Sequence, residues 1–206
     1  MNLNGLHRDL RSSVTDIVGI PWIRHELVSM PFSESEYDYV NNYYVRRKEL
    51  SEELFENKKW AMYLTMHEVP WHVEAFSRIH RYLEDEEYWK ILASIYMASE
   101  NLWQNKRAWK MFLSSERPGR EHFMTEAERK FLAELPESFT IYRGYMKGLN
   151  KSGFSYSLSE NTAIWFSKRY LGLELDSSQV HKRTIKKKNV FAYLSRADES
   201  EIIVIE

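Results

Sequence analysis

Between positions 33 and 135 the apolar residues of this chain recur at helical spacing, and beyond Pro136 they give way to the short runs expected of strands. Ser33 and Glu36 form a capping box, and Tyr37, Val40 and Tyr44 follow on one helical face. A second helical segment covers residues 58–66. Pro70 suits the first turn of the next, whose buried face is marked by Val73, Phe76, Ile79 and Leu83. The longest signal begins near Glu86, with Tyr88, Ile91, Leu92 and Ile95 at i, i+3, i+4 and i+7, and Trp109, Phe112 and Leu113 continue it. Thr125 and Glu128 form another capping box, opening a helix with Ala127, Phe131, Leu132 and Leu135 inward. Residues 1–33 are interrupted by Gly5, Gly19, Pro21 and Pro31. There Arg8, Leu10, Val14, Ile17 and Val18 fit a short helix, in an arm that packs on the domain or on a partner.

After Pro136 the pattern predicts strands at 139–143, 153–157, 180–185 and 190–194, with a polar loop at 147–152. Ser159 caps a helix in which Ala163, Phe166 and Tyr170 share a face, and a mobile loop is expected at 171–178. Residues 202–205 are apolar at every position, which predicts an inner strand covered on both faces. The fold class expected is α+β: a helical region, residues 1–136, packed beside a strand-rich module, residues 137–206, as one compact unit.

Composition narrows the chemistry. The net charge of -1 gives no global bias toward nucleic acid, and the absence of cysteine excludes disulfides and thiolate metal sites. No apolar run is long enough to span a bilayer and no apolar signal core follows Met1, so a cytoplasmic site of action without membrane partners is expected. His67, Glu68 and His72 depart from H-E-x-x-H: the histidines are five apart with Pro70 between them, so no metal is expected. Neither a G-x-x-x-x-G-K loop nor G-x-G-x-x-G is present.

Three short marks lie in the last third: Tyr142-Arg143-Gly144, Ser155-Tyr156-Ser157 and Glu199-Ser200-Glu201. On extended backbone residues i and i+2 face one side, so Ser155 with Ser157, and Glu199 with Glu201, can each address one substrate. Singly, such marks are also what strand ends, serine turns and solvated sheet edges look like. In this order they resemble the R-S-E signature of the mono-ADP-ribosyltransferases, which move ADP-ribose from NAD to a macromolecule. The resemblance covers residues 139–206. It implies a split β-sandwich of the ADP-ribosyltransferase type as catalytic core, with NAD as co-substrate.

The chemistry suits these residue types. Breaking the nicotinamide–ribose bond passes through an oxocarbenium-like state that carboxylates stabilise, and a planar guanidinium holds a pyrophosphate bidentately. By resemblance, Arg143 contacts the NAD phosphates and ribose, and Gly144 offers backbone groups to the nicotinamide amide. Ser155 orders the site with support from Ser157, Glu201 holds the ribose and drives cleavage, and Glu199 activates the acceptor. Tyr156 or Arg196 would shape the turn at 195–200, which reads the acceptor. The E-x-E form is similar to arginine-modifying members. The class also suggests a bacterial or phage effector, a toxin restrained by an antitoxin partner.

Other readings fit the same residues: NAD hydrolysis with water as acceptor, RNA or DNA as acceptor, or a non-enzymatic helical interaction protein. The arginine loop, Arg117-Pro118-Gly119-Arg120-Glu121-His122, and the basic cluster of His181, Lys182, Arg183, Lys186, Lys187 and Lys188, read as a hairpin, would hold the phosphates of NAD, serve a nucleic acid as a phosphate track, or be plain solvated charge. Glu100 with Gln104, and Asn101 with Asn105, would form a helical polar stripe, either solvated or walling the NAD cleft.

Overall fold

A computed structural model describes residues 1–100, 102–148, 150–169, 178–196 and 199–205. The chain divides into two compact units, Met1–Glu84 and Asp85–Glu206. The units therefore part some fifty residues before the boundary expected after position 136. The second unit holds the helices after Glu84 together with the strand-rich module.

The first unit corrects the reading of its first 33 residues. A single helical turn, α1 (Arg8–Arg11), leads into a three-stranded antiparallel meander of β1 (Val14–Ile17), β2 (Ile20–His25) and β3 (Val28–Pro31). Val14 and Ile17 match a helical period, but the run from Val14 to Ile20 is rich in β-branched residues, which favour extended backbone. Val18 (φ 54°) and Gly19 (φ 80°) close the first hairpin as a two-residue turn with both φ positive. The meander packs with α2 (Tyr37–Glu56) around Leu10, Ile23, Val28, Phe32, Val40 and Tyr44. The Ser33–Glu36 capping box forms as expected. α3 (Trp60–Thr65) and α4 (His72–Ile79) complete the unit, with Val73, Phe76, Ile79 and Leu83 buried.

The second unit opens with α5 (Asp85–Ala98) and α6 (Lys106–Leu113), where Tyr96 meets Trp109 edge to face; Tyr96 also meets Phe123, in the turn that follows, and Phe123 meets Phe191. Residues 102–105 turn between these helices, so the expected helical stripe at 100–105 does not form; its Asn101 lies outside the described residues. α7 (Glu126–Glu134) begins on the Thr125–Glu128 capping box. Of the residues expected inward, Leu132 and the capping Leu135 pack on the core, whereas Ala127 and Phe131 are exposed, and Glu128 is buried instead.

The strands β4 (Ser138–Met146), β5 (Ser155–Ser157), β6 (Ser178–Lys186), β7 (Ala192–Leu194) and β8 (Glu201–Ile203) form one antiparallel sheet in the order β6-β4-β5-β8-β7. α8 (Glu160–Lys168) follows β5, capped by Ser159 as expected. Ala163 and Phe166 lie on it, whereas Tyr170 and nearly all of the loop expected at 171–178 lie outside the described residues. β8 is an inner strand with Ile202 and Ile203 fully buried, as its unbroken apolar run requires. The basic cluster is not a hairpin, because β6 and β7 are opposite edges of the sheet and the turn at Lys187–Asn189 begins a crossover.

One feature of this sheet positions the site. β4 pairs with β6 along nine residues but with β5 only at Tyr142↔Ser157. Beyond that pair the two strands separate, and the residues that follow on β4 and precede on β5 are Arg143 and Tyr156, then Gly144 and Ser155.

Candidate active site

The parting of β4 and β5 opens a cavity of about 510 Å³, within the range of small-molecule sites. Arg143, Gly144, Ser155, Tyr156, Ser157, Glu199 and Glu201 all line it. The three marks, spread over sixty residues of sequence, therefore share one cleft.

Arg143 spans the parting. Its Nη1 donates to the Ser155 carbonyl at 2.6 Å and its Nε to the Asn150 carbonyl at 3.2 Å. Asn150 also accepts from Met146 N through its own side chain, which ties the 147–152 loop to β4. Burial pulls the Arg143 pKa below its ordinary value, against Tyr156, Tyr96 and Glu201. The guanidinium can lie there because position 153 is glycine. A Cβ on Gly153 would stand 2.5 Å from Arg143 Nη2. Since the obstacle is the end of a flexible side chain, Gly153→Ala should fold normally while its methyl displaces the guanidinium. With the NAD contact that the resemblance assigns to Arg143, a several-fold loss of NAD affinity by calorimetry, with an unchanged melting temperature, is the expected result.

Glu201 is 7 % exposed, on the inner strand β8. Its Oε1 accepts from Tyr96 Oη at 3.1 Å. Burial raises the Glu201 pKa and the charge of Glu199 adds to this, while the Ser155 and Tyr96 hydroxyls and Arg196 act in the opposite direction. Tyr96, fully enclosed, is pushed well above the usual phenol range by burial and by the carboxylate beside it. It therefore stays a hydrogen-bond donor throughout the working range of a protein.

The turn carrying Glu199 is held from two sides. Ser157 Oγ donates to the Glu199 carbonyl at 2.7 Å and accepts from Ser159 N at 3.0 Å, joining the turn to the first residue before α8. Leu158 N donates to the carbonyl of Ser200, which has a positive φ of 44°. On the other side, Glu128 Oε1 accepts from both Ser195 N and Ser195 Oγ, while its Oε2 accepts from Thr125. Burial alone would raise the Glu128 pKa; the bonds from Ser195 and Thr125 outweigh it and hold the carboxyl below its usual value. A capping-box glutamate thus does a second task, anchoring the start of the turn at 195–200. Arg196 lines the cleft from that turn, whose residues 197–198 lie outside the described residues.

Gly144 has a packing duty beside any role toward a ligand. A Cβ there would lie 1.9 Å from the Ala163 carbonyl oxygen and 2.6 Å from Ser167 N, so α8 rests directly on the β4 backbone.

Tyr96 and Asn150, which the sequence reading did not single out, line the cleft, while Gly153 makes room for Arg143 and Glu128, read only as a helix cap, holds Ser195. A glycine just before the second mark was a visible signal. The segment after α5 contributes as well, since Ser99, Glu100, Leu102 and Trp103 line the cavity.

Other candidates are engaged elsewhere. Arg117 pairs with Asp85 at 3.0 Å and covers the Tyr88 ring, and Pro118 O accepts from Trp89 Nε1, so this loop is fastened to α5. Lys187 donates to the carbonyls of Ala133 and Leu135 and pairs with Glu137. In the first unit, His67 Nδ1 lies 2.9 Å from the Tyr63 carbonyl and His72 Nε2 lies 3.0 Å from the His67 carbonyl. Burial lowers the pKa of both histidines. Among the described residues no group of three His, Asp or Glu converges as a metal site, and no helix is long and apolar enough to cross a membrane. Comparison with protein-family models, with curated proteins and with solved structures finds no match to this chain.

Proposed function

We propose that the second unit is a mono-ADP-ribosyltransferase that cleaves NAD between nicotinamide and ribose and joins ADP-ribose to a macromolecular acceptor. The observation that carries this reading is a buried, hydroxyl-bonded carboxylate, Glu201, in the same cleft as the partly buried guanidinium of Arg143. Carboxylate and guanidinium match the two charges of the reaction, the oxocarbenium-like ribose and the pyrophosphate. We read the single-pair joint between β4 and β5 as the split of an ADP-ribosyltransferase β-sandwich.

Each residue then has a task. Arg143 holds the pyrophosphate in a water-poor site, where charge pairing is strong. Glu201, fixed by Tyr96 and an inner strand, faces the anomeric carbon and stabilises the positive charge that develops there. The bond from that carbon to the nicotinamide nitrogen breaks, and its electron pair leaves with neutral nicotinamide. A lone pair of the acceptor attacks the same carbon, and the acceptor's proton passes to Glu199, which is half-buried at the cleft.

The acceptor class is read by one experiment. The protein is incubated with NAD labelled in its adenosine half and a whole-cell extract, and parallel samples are treated with protease or nuclease. Label carried into macromolecules by the wild-type chain, and lost with Glu199→Gln while nicotinamide release persists, is the expected result. Nicotinamide release without label in either fraction would make the chain an NAD-hydrolysing enzyme and sink the transfer step.

A further inference from the structure

The first unit holds a cavity of its own, about 480 Å³, that no step of NAD cleavage uses. One face of α2 supplies Lys48, Ser51, Glu52 and Phe55 at spacings of three and four, with Glu56 a turn beyond Glu52. The charges around it do not balance. Glu26 lies 2.7 Å from Arg78 and Asp9 lies 3.3 Å from Lys48, so these two carboxylates have cations of their own. Glu52 and Glu56, both exposed, have no ion pair or hydrogen bond among the described residues. Lys48 stands four residues before Glu52, the spacing of a helical pair, yet turns to Asp9. Like charges at i, i+4 repel, and a cation between Glu52 and Glu56 would relieve that. Burial lowers the pKa of His25 and His67, which also line the cavity, so neither supplies this charge near neutral pH.

The hydroxyl of Ser51 points to a ligand independently. Ser51 is 6 % exposed, and its side chain bonds to no group among the described residues. Other helical serines bond back to a carbonyl of the preceding turn, as Ser77 does to Val73 and Ser167 to Ile164. A buried hydroxyl left without a partner is costly, and Ser51 lines the cavity. Phe55 and Tyr63 add aromatic walls, on which a cation and its hydrocarbon can rest. Among the described residues no three carboxylates or histidines converge as a metal site, which favours an extended cation that meets the acids one at a time. We propose that this cavity binds an aliphatic polyamine, with ammonium groups on Glu52 and Glu56 and an inner one on the Ser51 hydroxyl. The proposal concerns the first unit and stands apart from NAD cleavage.

The test titrates the full chain with spermidine at low salt by calorimetry. The wild type should bind it saturably at a single site, and should bind butylamine, which has one charge, more weakly. Glu52→Gln/Glu56→Gln changes two exposed side chains, so its fold should survive. Its affinity for spermidine should fall about tenfold, the loss expected of two charge pairs at a half-open site. Glu49→Gln/Glu53→Gln removes the same charge from exposed positions of α2 outside the cavity, and should bind as the wild type does. Ser51→Ala should weaken binding several-fold. Without ligand its melting temperature should hold or rise, because an unpartnered hydroxyl gives way to the best helix former. Absence of saturable spermidine binding by the wild type, or equal losses in the two glutamate pairs, would overturn the proposal. Calcium bound in place of spermidine, or a Ser51→Ala chain that melts lower and binds spermidine as before, would overturn it equally.

Discussion

Glu201→Gln should lower nicotinamide release from NAD by ~10²-fold or more, the loss typical of one electrostatic group aimed at a transition state. The amide keeps the shape of the acid and still accepts from Tyr96, so the fold should be intact. It should even gain stability near neutral pH. The folded pKa of Glu201 lies above its unfolded value because of burial, so the folded state holds its proton more tightly. The cost of ionising it is absent below the unfolded pKa of about 4.3 and grows as pH rises toward the folded value. Glutamine carries no such cost. The melting temperature of the variant relative to wild type should therefore rise as pH passes upward through that window and stay level above it. A variant that releases nicotinamide at nearly the wild-type rate would remove Glu201 from the chemistry. One that is inactive because it is unfolded would leave a structural acid.

Gly144→Ala should have the largest effect on stability. The added methyl would overlap the backbone oxygen of Ala163, so α8 must lift away from β4 or β4 must bend. Overpacking of this kind costs ~3 kcal/mol or more when backbone has to move. The melting temperature should fall on the order of 10 °C. A change of less than a few degrees would show that α8 does not rest on this glycine.

Much of the second unit could be read from its residues. Unbroken apolarity after Glu201 marked an inner strand, the capping boxes marked helix starts, and i, i+2 spacing put Ser155 and Ser157 on one face of β5; Glu199 precedes β8 in a turn where Ser200 has a positive φ, so it comes to the cleft by that turn and not by strand alternation. All seven proposed site residues line one cleft. What stayed hidden depends on long-range pairing. Tyr96 reaches Glu201 across 105 residues and Glu128 reaches Ser195 across 67, and neither partner carries a local mark of the other. Gly153 matters only because Arg143 folds over it. The first unit misled for another reason. Val14 and Ile17, three apart, fit a helical period and not an alternation, and the strand is set instead by a tight turn at Val18 and Gly19, whose conformation needs the neighbouring strand to hold it. The compact-unit boundary near Glu84 has no Pro or Gly cluster to announce it.

The central claim, that the cleft between β4 and β5 cleaves NAD, is met most directly by a time course of free nicotinamide, separated chromatographically, from NAD incubated with the wild-type chain. The account predicts nicotinamide accumulating in proportion to enzyme, with Glu201→Gln flat over the same interval. Intact NAD after incubation with folded wild-type chain and a cell extract to supply acceptors would contradict it.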